Sequence, residues 1–391
     1  MASLWKTIFY LGVMTLPFYP FASGGVQPSH ALLALAFGIM LVHKGFRLQM
    51  DLLIKVYMFM TVYVMLRELT VTMNNSDIAS LLSPIYFVFN LMVLMLVYHV
   101  DEERSNLKMA VILGGCIATL GVLILGVSFV RAETTFRAIG TFNNPNQLGY
   151  FSVCFLSMSY LLYSCGRVST RFFLVLMGIG FFCGFVSLSK SAIVSNLMVL
   201  IAFLLSINLK KKVIVFFSLC AAIVIVITND LIPMELIQSS ELYYRFDKLG
   251  QESDSSLASR GYLLFFESGP IELLFGMGSE GVKAFFGQET HSSIISMLNS
   301  YGLIGLFVFL FLLAIWFLKV NQAFGFVGFL GICTPAVLYG LAHNGNRFVM
   351  FWLLVAMSVS MARTTIQARR ERFTENTAPE QPVQAQPAGL N

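Results

Sequence analysis

Long apolar runs separated by short polar connections extend along most of this chain. Because a helix needs about 20 apolar residues to cross a hydrocarbon layer about 30 Å thick, a window of that length predicts where the chain crosses a membrane. Twelve candidate spans result: 7–23, 30–43, 52–66, 78–99, 109–130, 146–165, 172–188, 191–207, 213–229, 291–318, 321–340 and 347–363. The pattern therefore predicts an all-α polytopic membrane protein with about 12 transmembrane helices.

The spacing of these spans predicts four parts of the chain. Transmembrane helices 1–9 fall in 1–229, one large polar loop covers 230–290, helices 10–12 follow in 291–363, and a tail occupies 364–391. Since a bare coil as long as the polar loop is uncommon, we expect it to form a small external domain of short amphipathic helices. The tail ends in "TENTAPEQPVQAQPAGLN", which has almost no large apolar side chains, and is predicted to be disordered.

Composition agrees with this class of protein. Hydrophobic residues make up 57% of the chain and charged residues 12%, with a mean hydropathy of +0.78, whereas soluble domains carry about 25% charged residues. The six cysteines fall in apolar segments without metal-type spacing, so we expect neither a disulfide nor a zinc site. We also expect no metal, no other cofactor and no nucleic-acid partner.

The distribution of basic residues predicts the orientation, because short cytoplasmic connections carry an excess of Lys and Arg. With an inner amino terminus, the cytoplasmic side receives most of them: Lys6, Lys44, Arg47, Arg104, Lys108, Arg167, Arg171, Lys210, Lys211, Lys212, Lys319, Arg363, Arg369, Arg370 and Arg372. The opposite short connections hold Arg67, Arg131, Arg137, Lys190 and Arg347. Both termini are therefore predicted to be cytoplasmic, and the loop 230–290 to lie on the outer face.

Two outer connections carry polar residues that a plain span does not need. The segment "RAIGTFNNPNQLGY", 137–150, contains Arg137, and its Asn144 and Asn146 flank Pro145. Asn146 can cap a helix whose amide groups then point outward, although an ordinary Asx-Pro turn is the alternative. The turn "SLSKSA", 187–192, places Lys190 on the outer side, where a lysine that reaches lipid head groups is the alternative.

The external loop and the residues after it supply further candidates. Arg245 and Arg260 carry forked guanidinium groups suited to diphosphate oxygens, although ion pairs with nearby carboxylates would also explain them. His291 opens "HSSIISMLNSYGLIG", and at 100° per residue Gly302 and Gly305 fall on its helical face, which predicts close helix packing there. The alternative for His291 is an ordinary interfacial histidine.

A second outer histidine lies near the end of the chain. His343 and Arg347 occur together in "AHNGNRF", where the connection between the last two spans is predicted to face outward. Helix capping would equally account for this histidine. We treat both residues as candidate substrate-binding groups.

The order of these motifs resembles that of the O-antigen ligase and polymerase superfamily of bacterial surface-polysaccharide assembly. The resemblance covers roughly residues 137 to 310, and the amino-terminal third is similar only in its hydrophobic helices. The matching positions are Arg137, Gly140, Phe142, Asn144, Pro145, Asn146, Ser189, Lys190, Ser191, Arg260, Gly276, Gly278, His291, Gly302 and Gly305. Two positions depart from the family pattern: Lys190 stands where arginine is frequent, and Asn299 stands where many relatives carry glutamate.

The resemblance implies a GT-C-like glycosyltransferase architecture in the bacterial inner membrane. It implies an inverting, metal-independent transfer of a glycan from undecaprenyl diphosphate to an acceptor hydroxyl at the periplasmic face. His291 would take the hydroxyl proton, since histidine is mostly neutral near pH 7, and Arg260 and Arg245 would stabilise the diphosphate leaving group. Arg137, Asn144, Asn146, Lys190, His343 and Arg347 would bind substrate.

Two interpretations share this chemistry and one does not. A ligase passes the glycan to lipid A core, whereas a polymerase adds it to a second lipid-linked glycan. The compact chain and its single large outer loop favour the ligase slightly. A flippase or transporter is the alternative of another class, but such proteins typically place ionisable groups near the bilayer midplane, and the predicted spans are almost free of them at mid-span.

Overall fold

The computed structural model describes residues 2–21, 25–75, 78–100, 104–125, 129–132, 135–208 and 260–377. Within these residues the helices are α1 Ala2–Met14, α2 Pro28–Lys44, α3 Leu52–Asn75, α4 Leu82–His99, α5 Arg104–Ile124, α6 Pro145–Ser164, α7 Thr170–Val186, α8 Lys190–Ser206, α9 Pro270–Phe275, α10 Ser279–Phe286, α11 Ser293–Ile332, α12 Thr334–Ala342 and α13 Val349–Thr377. Short 3₁₀ turns occupy Ile78–Leu81 and Leu264–Glu267. Strands β1 Phe129–Ala132 and β2 Thr135–Ala138 form an antiparallel pair.

The chain is an α-helical membrane protein. Four of its described helical segments are long and apolar enough to cross a membrane: Leu82–His99, Asn106–Ile124, Ser293–Ala342 and Val349–Glu371. Shorter apolar helices accompany them at Leu4–Met14, Pro28–Lys44, Thr170–Val186 and Lys190–Ser206. The predicted total of twelve spans is larger than this set and stays a prediction.

Helices occur at the positions of the predicted spans, but several boundaries differ. Helix α1 ends at Met14 instead of residue 23, consistent with Pro17 and Pro20, which cannot donate a helical hydrogen bond. Helix α11 runs without interruption across residues 318–321, where two separate spans were predicted. The predicted span 213–229 and residues 230–259 of the predicted external loop lie outside the described residues, and residues 260–290 contain short helical elements.

Helices α6 and α13 form the centre of the bundle. Every residue of α6 from Leu148 to Leu162 is buried, and so is every residue of α13 from Val349 to Ala362. A helix that is apolar on all sides belongs in a core, and α6 contacts α7, α8, α11, α12 and α13. These two helices therefore connect the two ends of the bundle through its interior.

The first part of α11 contains a break, where it contacts the loop between α9 and α10. Gly302 has φ 66° and ψ −167°, a backbone conformation that is essentially restricted to glycine. Opposite the break, the amides of Met277 and Gly278 donate to the carbonyl oxygens of Asn299 and Ser300, at 2.9 Å each. The loop between α9 and α10 thus satisfies carbonyl groups where the helix is interrupted.

This break corrects the predicted position of His291. Helix α11 begins at Ser293, so His291 precedes it and is not part of a helical face. The non-helical backbone at Gly302 also interrupts the 100° periodicity before Gly305. Gly302 does allow a close approach, as expected, but its neighbours are the backbone of Leu274 in α9 and of Gly276 in the loop that follows.

The carboxyl-terminal part also differs from the prediction. A second glycine break in α11 lies at Gly325, with φ 70°. Helix α13 continues to Thr377, so residues 364–377, predicted to be disordered, are helical. This stretch contains good helix formers such as Ala, Arg and Gln, and a Gln367 to Glu371 hydrogen bond of 3.0 Å links successive turns. Residues 378–391 lie outside the described residues.

We expect Gly302→Ala to destabilise the protein strongly. A Cβ atom there would overlap the carbonyl oxygen of Leu274, which is backbone and cannot turn aside, and the φ value adds about 1 to 3 kcal/mol of strain. The measurement is thermal unfolding of the purified protein in detergent. Gly38→Ala is the matched control, because Gly38 is exposed in α2 with no atom within 4 Å of a new Cβ; equal melting temperatures for both variants would contradict the described break.

Candidate active site

A cavity of about 550 Å³ opens at one end of the bundle. Its walls come from the start of α2, the start of α4, the loop before α6, the segment from α10 to His291, and the loop between α12 and α13. Cavities of roughly 300 to 1,000 Å³ are typical of ligand sites. The cavity is therefore large enough to hold part of a sugar and its linkage.

Five of the predicted site residues line this cavity together: Asn144, Asn146, His291, His343 and Arg347. Lys190 and Arg260 do not line it. Arg137 belongs to β2, and Arg245 lies outside the described residues. Of the predicted cationic groups, only Arg347 is found among the described residues that line the cavity. The predicted asparagines and histidines all line it.

The loop before α6 presents amide groups to the cavity. Asn144 has an extended backbone and caps α6, because its side chain accepts a hydrogen bond of 2.9 Å from the amide of Gln147. The Gln147 side chain in turn accepts from the amide of Asn143 at 3.1 Å. Pro145 occupies the first helical position, where its missing N–H costs nothing. The cap is therefore Asn144 and not Asn146 as predicted, because α6 already begins at Pro145 and includes Asn146.

His291 lies in the short connection between α10 and α11. Its neighbours Thr290 and Ser292 are 3% and 0% exposed, so the backbone on both sides of the histidine is packed. Its Nδ1 atom is buried and has no hydrogen-bond partner among the described residues, and no described carboxylate orients the ring. The imidazole therefore lines the cavity, and none of the described residues forms a hydrogen bond with its Nδ1 atom.

The loop that carries His343 and Arg347 is tied to the first turn of α11, next to His291. The hydroxyl of Ser293 donates to the carbonyl of His343 at 3.2 Å and accepts from the amide of Gly345 at 2.8 Å. The buried Asn346 side chain donates to the carbonyl of Ser293 at 2.8 Å. These bonds hold the two histidine-bearing connections together as one wall of the cavity.

Arg347 forms an ion pair with Glu289, and both side chains are partly exposed, at 34% and 46%. The guanidinium carbon also lies 5.6 Å from the centre of the Tyr86 ring, within the range of a cation-π contact. Lys283 and Glu280 form a second pair of 3.2 Å in the same wall. The charges of this wall are therefore matched within the protein.

Arg260 is adjacent to the cavity wall without lining the cavity. Its Nη1 donates to the carbonyl of Ala342 at 2.8 Å, one residue before His343, and the Tyr262 hydroxyl donates to the carbonyl of Leu341 at 2.8 Å. Cations at the end of a helix satisfy its last carbonyls and complement its dipole. In the described protein, Arg260 thus caps α12 and supports the loop that follows.

Lys190 begins α8 after a tight turn. Ser189 caps the helix by accepting from the amide of Ala192 at 3.4 Å, and Leu188 has φ 50°, which is uncommon outside glycine. A Cβ atom on Gly149 of α6 would lie 3.1 Å from Ser187 and Ser189 atoms. The turn therefore packs against the first turns of α6, at the same end of the bundle as the cavity.

Several cavity residues were not identified from the sequence. Gln27 and His30 come from the start of α2, and the Gln27 amide donates to His30 Nδ1 at 3.3 Å. Pro28 just after Gln27 signalled a helix start there, but this span was assigned by hydropathy alone. Six side chains that line the cavity carry amide groups, of which only Asn144 and Asn146 were predicted: Gln27, Asn143, Asn144, Asn146, Gln147 and Asn344.

Stacked rings form another wall. Tyr150 stacks on Tyr339 with ring centres 4.6 Å apart and on Phe348 at 5.0 Å. Tyr339 stacks on His343 at 4.8 Å, and its hydroxyl donates to the carbonyl of Asn146 at 2.7 Å. Aromatic faces beside amide groups suit the mixed polar and apolar surface of sugars. Apolar periodicity could not have separated these tyrosines from ordinary core residues.

A buried carboxylate anchors the remaining wall. Glu68, just beyond the predicted span 52–66, accepts from the amide of Ser279 at 2.8 Å and from the hydroxyl of Tyr301 at 3.1 Å. Burial raises the pKa of the Glu68 carboxyl, and these two donors partly oppose the rise. Through Ser279, Glu68 holds the start of α10, from which Glu280 and Lys283 reach the cavity.

The cavity and the basic end of the protein lie on opposite ends of the bundle. Helix α6 has its cap Asn144 at the cavity, and its 20 residues at 1.5 Å per residue span about 30 Å, close to the thickness of a hydrocarbon layer. Its far end adjoins Arg167, beside Lys108. Chemically, the cavity combines three histidines, two cations, two carboxylates and many neutral hydrogen-bonding groups. No known family model matches the chain, and no curated protein matches it either.

We expect Asn346→Ala to lower stability by about 1 to 2 kcal/mol, because it removes a buried hydrogen bond and leaves a small space at the junction of two loops. Thermal unfolding in detergent measures the change. Asn321→Ala is the control, since Asn321 is exposed on α11 and its truncation should change stability by less than about 0.5 kcal/mol. An unchanged melting temperature for Asn346→Ala would mean that this residue does not hold the wall together.

Proposed function

We propose that this chain is a periplasmic-face glycosyltransferase that moves a glycan from undecaprenyl diphosphate to an acceptor hydroxyl, and that it is an O-antigen ligase whose acceptor is lipid A core. The observation that carries the proposal is the meeting of His291, Arg347 and Asn144 at one cavity. These residues come from segments far apart in the sequence. Asn144 and His291 belong to the motifs that carry the resemblance, and Arg347 lies four residues after the candidate His343.

The reaction requires one proton acceptor and one stabiliser of negative charge. The acceptor oxygen forms a bond to the anomeric carbon while the bond from that carbon to the diphosphate oxygen breaks. His291 takes the proton of the hydroxyl, and the electron pair of the broken bond leaves with the diphosphate. Attack opposite the leaving group inverts the anomeric centre. Energy for the transfer already resides in the lipid-linked donor.

Arg347 and Lys283 both line the cavity with His291, and we assign the diphosphate contact to Arg347 because its guanidinium group is forked. A guanidinium group binds phosphate oxygens through two parallel hydrogen bonds. Arg260 supports this wall through Ala342, and Lys190 lies at the same end of the bundle. The amide groups of Asn144, Asn146 and Asn344 would hydrogen-bond the sugar hydroxyls.

The proposal includes the membrane arrangement. Cytoplasmic termini fit the excess of basic residues at the end opposite the cavity. Twelve spans follow from hydropathy, and the GT-C-like architecture and the bacterial inner-membrane location follow from the resemblance alone. The lipid-linked donor would reach the cavity sideways from the bilayer. A polymerase with a second lipid-linked glycan as acceptor uses the same chemistry and is the nearest alternative function.

We expect His291→Ala to lower turnover by about 10² to 10⁴, the contribution of a positioned base, and Arg347→Ala to lower it substantially through lost charge stabilisation. The assay uses the purified full-length protein in detergent, a labelled undecaprenyl diphosphate glycan and lipid A core. His43→Ala is the matched control, because His43 is exposed in the last turn of α2, at the end away from the cavity. Full turnover by His291→Ala would refute its role as base.

Deletion of the gene separates the ligase from the polymerase. Without a ligase, long glycan chains remain on the lipid carrier and lipid A core stays bare. Without a polymerase, lipid A core carries single repeat units. Electrophoresis of extracted surface lipopolysaccharide distinguishes the two patterns, and single repeats on the core would replace our assignment with the polymerase. Unchanged surface glycan would contradict both.

A further inference from the structure

A second polar cavity, of about 340 Å³, lies at the opposite end of the bundle. We name it the basic pocket and define it by Ser164, Arg167, Thr364, Thr365 and Arg369, which line it. Two guanidinium groups and three hydroxyl groups thus face one space between α6, α11 and α13. None of the described residues that line it is acidic.

The charges of this pocket are not neutralised by the described part of the chain. No described carboxylate forms an ion pair with Arg167 or Arg369, and Arg369 makes only a long contact of 3.5 Å with the carbonyl of Gln322. The carboxylate of Glu371 accepts from Gln367 at 3.0 Å. Lys108 adds a third cation next to the pocket, because its ammonium group donates to the Arg167 carbonyl.

The end of α6 does not fill the pocket with free carbonyl groups. The amides of Cys165, Gly166 and Arg167 already donate to the carbonyls of Leu161, Tyr163 and Leu162 at 2.9 to 3.0 Å. Gly166 adopts φ 67° to close this turn. The helix end, which would otherwise attract a cation, is therefore capped, and the excess positive charge is available to a ligand.

We propose that the basic pocket binds the phosphate-bearing headgroup of an anionic phospholipid. The two guanidinium groups provide the forked donors that phosphate oxygens need, whereas the Thr364 and Thr365 hydroxyls already donate to the carbonyl of Met361. Basic pockets between transmembrane helices attract anionic headgroups electrostatically. The site is separated from the candidate active site by the length of α6, about 30 Å, and is independent of the proposed glycosyl transfer.

Apolar surface next to the pocket favours a lipid over a soluble phosphate. Phe324 lines the pocket, and open space surrounds the next residue, Gly325, where an added Cβ would meet no atom within 4 Å. Phe326, two residues after Phe324, is 66% exposed. Acyl chains attached to a headgroup in the pocket would have this surface to lie against, whereas inorganic phosphate would gain nothing from it.

The test measures lipid binding to the purified full-length protein by native mass spectrometry in detergent, with phosphatidylglycerol and phosphatidylcholine as probes. We expect phosphatidylglycerol to bind in preference, and the double variant Arg167→Gln with Arg369→Gln to weaken its binding about tenfold or more, since two charge-assisted contacts are lost. The matched control is Lys44→Gln with Arg47→Gln, which removes the same charge from exposed positions at the end of α2 and should change binding less than about twofold.

Further arms decide the remaining outcomes. Arg167→Lys with Arg369→Lys should give intermediate affinity, because charge is kept and the forked geometry is lost. If the glutamine double variant does not elute as a folded protein, Arg369→Gln alone replaces it and should weaken phosphatidylglycerol binding severalfold, whereas unchanged binding would overturn the proposal. Equal weakening by the pocket and control variants would overturn the proposal in favour of general surface attraction. Inorganic phosphate that competes fully with phosphatidylglycerol would overturn the assignment to a lipid and indicate a soluble phosphate ligand.

Discussion

Backbone polar groups within or beside a membrane must be satisfied by the protein itself, and the arrangement of the cavity depends on how this chain meets that requirement. Helix α11 is interrupted at Gly302, and the carbonyls of Asn299 and Ser300 accept hydrogen bonds from the loop between α9 and α10. The interruption is therefore a joint between α11 and the segment that contains α9 and α10. Because the same joint brings α10 against Glu68, one backbone feature positions the wall that contains Glu280, Lys283 and His291.

The same joint gives Asn299 a structural role at a position where the resemblance led us to expect glutamate. The side chain of Asn299 donates to the backbone carbonyl of Gly261 at 3.0 Å. The backbone carbonyl of Asn299 accepts from the amide of Met277. Asn299 thus connects the segments around Gly261 and Met277 to α11. A carboxylate could not donate that hydrogen bond unless it were protonated. The residue at this position has a structural role in the described protein that does not require an acid.

Hydropathy predicted where helices occur, and local motifs predicted which loops meet, but neither predicted the details that depend on tertiary contact. The sequence predicted a helix cap beside Pro145 but placed it at Asn146 instead of Asn144, although capping is a local interaction. The breaks at Gly302 and Gly325 were not predicted, since a glycine in an apolar run also suits helix packing. Likewise, the sequence favoured Arg260 as the cation at the cavity, whereas Arg347 lines it. Which arginine reaches the cavity depends on the hydrogen bond of Arg260 to Ala342, and no periodicity contains that information.

The ion pair of Arg347 with Glu289 is compatible with the diphosphate contact that we propose for this arginine. Both side chains are partly exposed, and such pairs contribute only about 0 to 1 kcal/mol to stability. Exchange of the carboxylate for a diphosphate would therefore cost little, while the pair itself avoids an unmatched charge beside Tyr86 before a donor binds. A guanidinium group buried and fully bonded, like that of a structural pair, would resist the exchange. The weak pairing of Arg347, more than its charge alone, is what makes it a better candidate for a substrate contact than Arg260, whose hydrogen bond holds α12 in place.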